Sequence, residues 1–177
     1  PVCTTEFGAV AQLAKEWAQR NTKVIGVSVD GAEAHKKWKV DIENFAGATA
    51  GFPIIADEGL NVSKLFEMLP AEAYLPDGRT ANDTATVRSV FIIGPDKKVK
   101  LTLTYPASCG RNFDELLRVV DSLQLTSKFK VATPANWKDG EDCIITPAVN
   151  DDEAKSLFPK GFKTVKPYLR YTPQPNK

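Results

Sequence analysis

Cys3 is the residue with the clearest chemical potential in this chain, because it stands directly before a segment with helical periodicity. The first backbone N–H groups of a helix are unpaired, and the helix dipole places partial positive charge at that end. A thiol there is favoured as the thiolate, the nucleophilic form of cysteine. The alternative is that Cys3 is a small buried hydrophobic residue, the usual environment of a free cysteine. The first interpretation predicts a reactive thiolate.

Residue types that could bind a metal or form a disulfide are few in this chain and lie far apart in the sequence. Cys3, Cys109 and Cys143 form no CxxC pair, and an odd number of cysteines argues against a secreted disulfide framework. His35 is the single histidine, so a zinc site would lack well-spaced ligands. It stands among charged residues, and we interpret it as a solvated helix residue rather than a catalytic base. The sequence predicts no metal and no other bound cofactor.

Composition narrows the class of protein. The chain has 177 residues and 42% hydrophobic content, enough for one ordinary domain with a small appendage. Lys and Arg number 23 against 22 Asp and Glu, without a basic block, so a nucleic acid partner is not expected. No apolar stretch reaches the roughly 18 residues of a membrane helix, and no signal peptide pattern appears. We expect a cytoplasmic protein. Since Pro1 is not methionine, we also expect the chain to begin partway through a longer polypeptide.

Residues 1–125 alternate between helical and strand patterns. Apolar residues at helical spacing from Phe7 to Ala18 are followed by a β-branched run typical of a buried parallel strand. Two later strands flank a Gly-Pro-Asp-Lys turn and predict a hairpin. The pattern indicates an α/β layered domain. The elements predicted after the first helix are strand Lys23–Asp30, helix Gly31–Phe45, strand Phe52–Asp57, helix Asn61–Leu69, loop Leu75–Thr84, strands Thr86–Ile93 and Lys98–Thr104, and helix Asn112–Leu125.

Residues 126–177 differ in composition. Six of the 12 prolines fall here, and a single short helical pattern runs from Asp151 to Phe158. This indicates a small, irregular C-terminal domain. Its many apolar residues exceed what so short a segment can bury by itself, so we expect them to pack on the main domain or on a second subunit.

Three segments together resemble the peroxiredoxins. They are Pro1-Val2-Cys3-Thr4-Thr5-Glu6-Phe7, the strand Thr86-Val87-Arg88-Ser89-Val90-Phe91, and Tyr105-Pro106-Ala107-Ser108-Cys109-Gly110-Arg111-Asn112-Phe113. The segments Ala132-Thr133-Pro134-Ala135-Asn136-Trp137 and Phe158-Pro159-Lys160-Gly161 are similar to the one-cysteine, peroxiredoxin-6-like branch. The resemblance covers nearly the whole chain. It implies a thioredoxin-like fold, a homodimer, and reduction of hydrogen peroxide and of organic or lipid hydroperoxides.

The resemblance also implies roles for four residues. Cys3 matches the peroxidatic cysteine, Arg88 the arginine that holds its thiolate and the peroxide, and Glu6 the carboxylate that orients this arginine. Arg111 matches a further arginine near the site. From the sequence alone, Arg88 could instead point to solvent, and Glu6 could be an ordinary acid in the first helical turn. Arg111 could simply pair with Asp114 or Glu115.

The chain departs from the family pattern in two respects. The family motif begins upstream of Cys3 with a proline and a threonine, and this N-terminal segment is absent from the sequence. The Val-Cys-Pro motif of a resolving cysteine is also absent, so Cys109 and Cys143 are interpreted as non-resolving. The resemblance then implies an external thiol reductant, glutathione delivered with a glutathione transferase.

Two other functions remain open at this point. The one-cysteine branch is associated with a phospholipase A2 activity, which would bring a phospholipid surface as a partner. Asp96 matches one member of that catalytic set, although a turn aspartate needs no catalytic explanation. The second alternative is a peroxiredoxin scaffold without catalysis, acting as a holdase or an interaction module.

Overall fold

The computed structural model describes residues 1–70 and 86–177. The predicted loop Leu75–Thr84 lies outside the described residues. The chain divides into two compact units, Pro1–Phe113 and Asp114–Lys177. This division groups most of the last long helix with the second unit, whereas the domain boundary predicted from composition, at residue 125, places that helix in the first.

The first unit contains both helices and strands. Its helices are α1 (Val2–Gln12), α2 (Ala14–Gln19), α3 (Ala32–Ala46) and α4 (Asn61–Leu65). Its strands are β1 (Gly26–Ser28), β2 (Ile54–Ala56), β3 (Arg88–Ile93) and β4 (Val99–Tyr105). β1 pairs with β2 in parallel, with Gly26 opposite Ile54. β3 and β4 form the predicted antiparallel hairpin, with Arg88 opposite Tyr105. β1, β2 and β3 are shorter than predicted, whereas β4 keeps its predicted length, and β1 is only partly buried.

The first helix differs from its prediction in a way that matters for chemistry. It begins at Val2 rather than after Cys3, and it ends at Gln12, where Leu13 separates it from α2. No side chain caps its N-terminus. Cys3 therefore lies inside the first turn of α1, among the backbone N–H groups that have no partner within the helix.

Helix α1 is held in place by close packing on α3. A Cβ added at Gly8 would lie 2.9 Å from the Cβ of Ala46, so glycine permits the two backbones to approach. The Phe7 ring lies 4.8 Å from the Trp38 ring, and the Trp38 indole N–H donates to the Thr4 hydroxyl at 3.0 Å. These contacts fix the turn that carries Cys3.

His35 corrects another prediction. Its side chain is 5% exposed, and its ring lies 6.3 Å from that of Trp38, so it is buried against the helix neighbours rather than solvated. Its two ring nitrogens have no hydrogen-bond partner among the described residues.

The second unit is organised around a four-stranded antiparallel sheet. Its elements are α5 (Phe113–Lys128), β5 (Val131–Ala132), β6 (Cys143–Ile145), α6 (Asp151–Leu157), β7 (Lys163–Lys166) and β8 (Leu169–Thr172). The strand order is β5-β6-β8-β7. Asn150 caps α6, because its side-chain oxygen accepts from the Glu153 backbone N–H at 2.8 Å.

The second unit also has a core of its own. Trp137, Ile145 and Phe158 are buried together, and Phe129 and Phe162 pack against them. The expectation that the apolar residues of this segment pack on the main domain or on a second subunit stays a prediction. Tyr168, by contrast, is an exposed aromatic residue of this unit.

Candidate active site

Cys3 lies at the N-terminal end of α1 with its side chain exposed. The Arg88 guanidinium donates from Nη1 to the Cys3 sulfur at 3.3 Å. Unpaired helix N–H groups and a guanidinium both stabilise negative charge. The sulfur therefore lies beside positive charge and where a small molecule can reach it.

Arg88 is the first residue of β3, and its side chain turns inward to 9% exposure. Nη1 also donates to Glu6 Oε2 at 2.7 Å, while Nε and Nη2 both donate to the Ala107 carbonyl oxygen, at 2.8 and 2.5 Å. The guanidinium is thus held from three sides, by sulfur, carboxylate and carbonyl. The solvent-facing arginine that the strand pattern left open is not observed.

Glu6 lies one turn after Cys3 on α1, and its carboxylate is 3% exposed. Besides Arg88, it accepts from Arg111: the backbone N–H and Nε donate to Oε1 at 2.9 and 3.0 Å, and Nη2 donates to Oε2 at 2.9 Å. Arg111 also donates to the Ser89 carbonyl oxygen at 3.0 Å. Glu115, the alternative partner, pairs with Arg118.

The electrostatics of this cluster favour an anion at Cys3. Burial works to raise the pKa of Glu6, but the hydrogen bonds from Arg111 and the charges of Arg111 and Arg88 outweigh it, and the pKa is lowered. Burial lowers the pKa of Arg88, but its contacts with Cys3 and Glu6 outweigh this effect and raise it. One carboxylate between two guanidinium groups leaves one positive charge. That positive charge lies beside the Cys3 sulfur.

The structure brings the four residues expected at the site, Cys3, Glu6, Arg88 and Arg111, into one cluster. It adds the Ala107 carbonyl, which sequence reasoning missed because a backbone oxygen has no side-chain signature. It also places Trp38 behind the cysteine turn through Thr4. In the sequence, the only sign of this contact is that Trp38 is an aromatic residue within the second predicted helix.

Cys143 and Asp96 are not part of the cluster. Cys143 is fully buried in β6 of the second unit. Asp96 lies in the turn between β3 and β4, where it accepts from the Lys98 backbone N–H and the Lys100 ammonium. Among the described residues, no group of His, Cys, Asp and Glu side chains is arranged to hold a metal ion.

Comparison with known proteins identifies the class to which this fold and this cluster belong. The family model of the AhpC/TSA family matches residues 1–102, and the model of the C-terminal domain of 1-Cys peroxiredoxin matches residues 122–161. A 1-Cys peroxiredoxin of Dictyostelium discoideum is 51% identical over 177 residues, covering 100% of this chain and 70% of the relative.

Solved structures agree with this similarity. A cysteine-to-serine mutant of peroxiredoxin 6 from Arenicola marina is 48% identical with a TM-score of 0.90, covering 100% of this chain and 81% of that one. A yeast mitochondrial 1-Cys peroxiredoxin, solved to explain thiol resolution through the glutathione and thioredoxin systems, is 48% identical with a TM-score of 0.87, covering 98% of this chain and 80% of that one.

The chain belongs to the AhpC/TSA family and, within it, to the 1-Cys peroxiredoxins. It has the thioredoxin-like fold of that family and is a thiol-dependent peroxidase.

Proposed function

We propose that Cys3 is the peroxidatic nucleophile and that Arg88, Glu6 and Arg111 form the electrostatic support of its thiolate. The observation that carries this proposal is the Arg88 Nη1 group, which lies 3.3 Å from the Cys3 sulfur and 2.7 Å from the Glu6 carboxylate. Glu6 and Ala107 hold the guanidinium before peroxide arrives. Such preorganised donors stabilise charge that develops in a transition state.

The reaction follows from this arrangement. The Cys3 thiolate attacks one oxygen of the hydroperoxide, an S–O bond forms and the O–O bond breaks. The second oxygen leaves with growing negative charge, takes up a proton, and departs as water or an alcohol. Cys3 is left as the sulfenic acid. Arg88 stabilises the thiolate first and the developing oxygen anion afterwards.

The substrates we propose are hydrogen peroxide and organic or lipid hydroperoxides. Cys3 is exposed, so a bulky group attached to the distal oxygen can remain in solvent while the proximal oxygen reaches the sulfur. An external thiol then reduces the sulfenic acid, and we propose glutathione, supplied with a glutathione transferase. The yeast relative, which is described with the glutathione and thioredoxin systems, supports this class of reductant.

We further propose a homodimer, a cytoplasmic location and a division into a peroxidase domain, residues 1–125, and a C-terminal domain, residues 126–177. Among the described residues β4 pairs only with β3, so its other edge is open to a second copy.

The cytoplasmic location rests on the cysteines of the chain. All three are free, which suits a reducing compartment. No helix in residues 1–70 or 86–177 is long and apolar enough to cross a membrane. Sedimentation, cell fractionation and limited proteolysis test these three points separately.

The decisive experiment for the function is trapping of the oxidised nucleophile. The reduced chain is mixed with hydrogen peroxide in the presence of dimedone, and its cysteine peptides are mapped by mass spectrometry. We expect the sulfenic acid adduct on the Cys3 peptide and an unmodified thiol on the Cys143 peptide. Adduct on Cys143, or peroxide consumption without any oxidation of Cys3, would show that the nucleophile is assigned wrongly.

A further inference from the structure

The loop Pro106–Gly110 carries a second exposed thiol, that of Cys109, close to the turn that holds Cys3. On one side of Cys109, the Ala107 carbonyl accepts two hydrogen bonds from the same guanidinium that donates to the Cys3 sulfur. On the other side, a Cβ added at Gly110 would lie 3.6 Å from Cγ1 of Val2, the residue before Cys3. Cys109 is therefore bracketed by contacts with the immediate neighbours of Cys3.

The loop is also built to present this thiol. The Cys109 backbone N–H donates to the Pro106 carbonyl at 2.9 Å, which closes a turn. The Cys109 sulfur makes a long contact, 3.8 Å, with the Gly110 carbonyl oxygen. No packed core has to open for this thiol to move, in contrast to Cys143. Disulfide geometry requires the two Cα atoms to lie about 4.4–6.8 Å apart, so the disulfide requires the Pro106–Gly110 loop to approach the first turn of α1 to that distance.

We propose that Cys109 traps the Cys3 sulfenic acid as an intramolecular disulfide when the external thiol is scarce. This deepens the proposed function and rests on it, because Cys3 must first be oxidised by peroxide. The absence of a Val-Cys-Pro motif argued against a resolving role for Cys109. The structure assigns one by position instead of by motif.

The step balances without a further oxidant. The Cys109 thiolate attacks the Cys3 sulfur, the S–S bond forms and the S–O bond breaks. Hydroxide leaves and takes up the proton released by Cys109, so one water is formed. An external thiol later reduces the disulfide and restores both cysteines. While the disulfide exists, a second peroxide cannot convert Cys3 to the sulfinic acid, which external thiols do not reverse.

The test is a peptide map under non-reducing conditions. The reduced chain receives one equivalent of hydrogen peroxide without added thiol, free thiols are alkylated, and cysteine peptides are identified. We expect a cross-linked Cys3 and Cys109 peptide pair, with the loss of two hydrogens, in protein that migrates as a monomer. In Cys109→Ser the pair is lost, and with excess peroxide the Cys3 sulfinic acid accumulates several-fold faster than in the wild type. Ser108→Ala, in the same loop, is the matched control and should keep the disulfide.

The outcomes separate this proposal from the proposed function. If dimedone labels Cys3 equally in the wild type and Cys109→Ser, and no cross-linked pair forms, the trapping role is overturned while the peroxidase assignment stands. Disulfides found solely between two chains overturn it as well. If neither protein is oxidised at Cys3, the proposed function fails first and the trapping role falls with it.

Discussion

Cys3 and Cys143 have the same side chain, but one is exposed beside charged groups and the other is buried in an apolar core. Cys3 is exposed in the first turn of α1 and receives a hydrogen bond from Arg88. Cys143 is fully buried in β6, and burial, together with the nearby charges of Asp142 and Asp139, raises its pKa to about 11 despite a hydrogen bond from Trp137. At neutral pH, Cys143 therefore remains a thiol, whereas the Cys3 sulfur is exposed beside a guanidinium. The reactivity of a cysteine in this chain is set by its surroundings.

The two environments also differ in what they contribute to stability. The Cys143 side chain is part of the apolar cluster of the second unit, where burial itself is favourable. The Cys3 site instead contains the buried Glu6 carboxylate and Arg88 guanidinium, whose removal from water is costly and is offset by their mutual contacts. The desolvation of this pair is the energetic cost of holding a cation beside the Cys3 sulfur.

Removing each sulfur in turn gives the largest expected difference. Cys3→Ser should reduce peroxide consumption to the uncatalysed background, because the serine hydroxyl is far less nucleophilic than a thiolate. Cys143→Ala should keep the wild-type rate and lose about 1 kcal/mol of unfolding free energy. Stopped-flow peroxide reduction and urea unfolding measure the two effects. Comparable rate losses in both variants would remove the distinction between a reactive and a structural cysteine.

The second largest effect is expected when the Arg88 guanidinium is replaced by an ammonium group of the same charge. Arg88→Lys should slow peroxide reduction by about 10²-fold, because a single ammonium cannot contact Cys3, Glu6 and Ala107 together. The matched control is Arg118→Lys, which alters a partly exposed arginine paired with Glu115 and should leave the rate unchanged. Second-order rate constants with hydrogen peroxide make the comparison. A full rate in Arg88→Lys would mean that charge alone is sufficient.

The buried Glu6 carboxylate predicts a pH dependence of stability. Burial works to raise its pKa, but the hydrogen bonds from Arg111 and the charges of Arg111 and Arg88 outweigh this effect and hold the pKa below the usual glutamate value of 4.5. The stability that ionised Glu6 contributes is therefore complete above about pH 4.5 and is lost as the pH falls through the lowered folded-state pKa. Glu6→Gln should cost about 3 kcal/mol at neutral pH, since two arginines lose their carboxylate. It should also lose part of the acid sensitivity.

Urea unfolding between neutral and acidic pH measures both effects. Glu16→Gln is the control, because Glu16 of α2 forms a partly exposed pair with Arg20, and its loss should cost less than about 1 kcal/mol. An equal pH dependence in the wild type and Glu6→Gln would indicate that Glu6 is not the group that titrates.

The parts of the site that could be predicted are those that local sequence determines. The helical spacing from Phe7 predicts the helix that follows Cys3, and the structure extends this helix to Val2, so that Cys3 and Glu6 lie on it three residues apart. The turn composition between the strands Arg88–Ile93 and Val99–Tyr105 predicts the hairpin that carries Arg88. The contact between Arg88 and Cys3 spans 85 positions of sequence, and no local pattern encodes it. The resemblance to a family was needed to place those two side chains together.

The errors arise where burial depends on distant neighbours. His35 stands between charged residues, but its side chain lies on the face of α3 that packs inward beside Trp38. The strands of the second unit were not predicted because they have only two to four residues each, too few to show an alternating pattern. The start of α1 was predicted too late in the sequence because no capping side chain marks it.

The smallest expected effect tests why Cys143 is inert. Burial is the largest contribution to its raised pKa, and the charge of Asp142 adds to it. In a background of Cys3→Ser and Cys109→Ser, Asp142→Asn should move the pH profile of Cys143 alkylation down by less than about one unit. The thiol should still react negligibly at neutral pH, and Asp152→Asn, an exposed acid on α6, should leave the profile unchanged. If Asp142→Asn made Cys143 react readily at neutral pH, charge rather than burial would control it. The contrast between the two cysteines would then rest on a single carboxylate instead of on the packed core around β6.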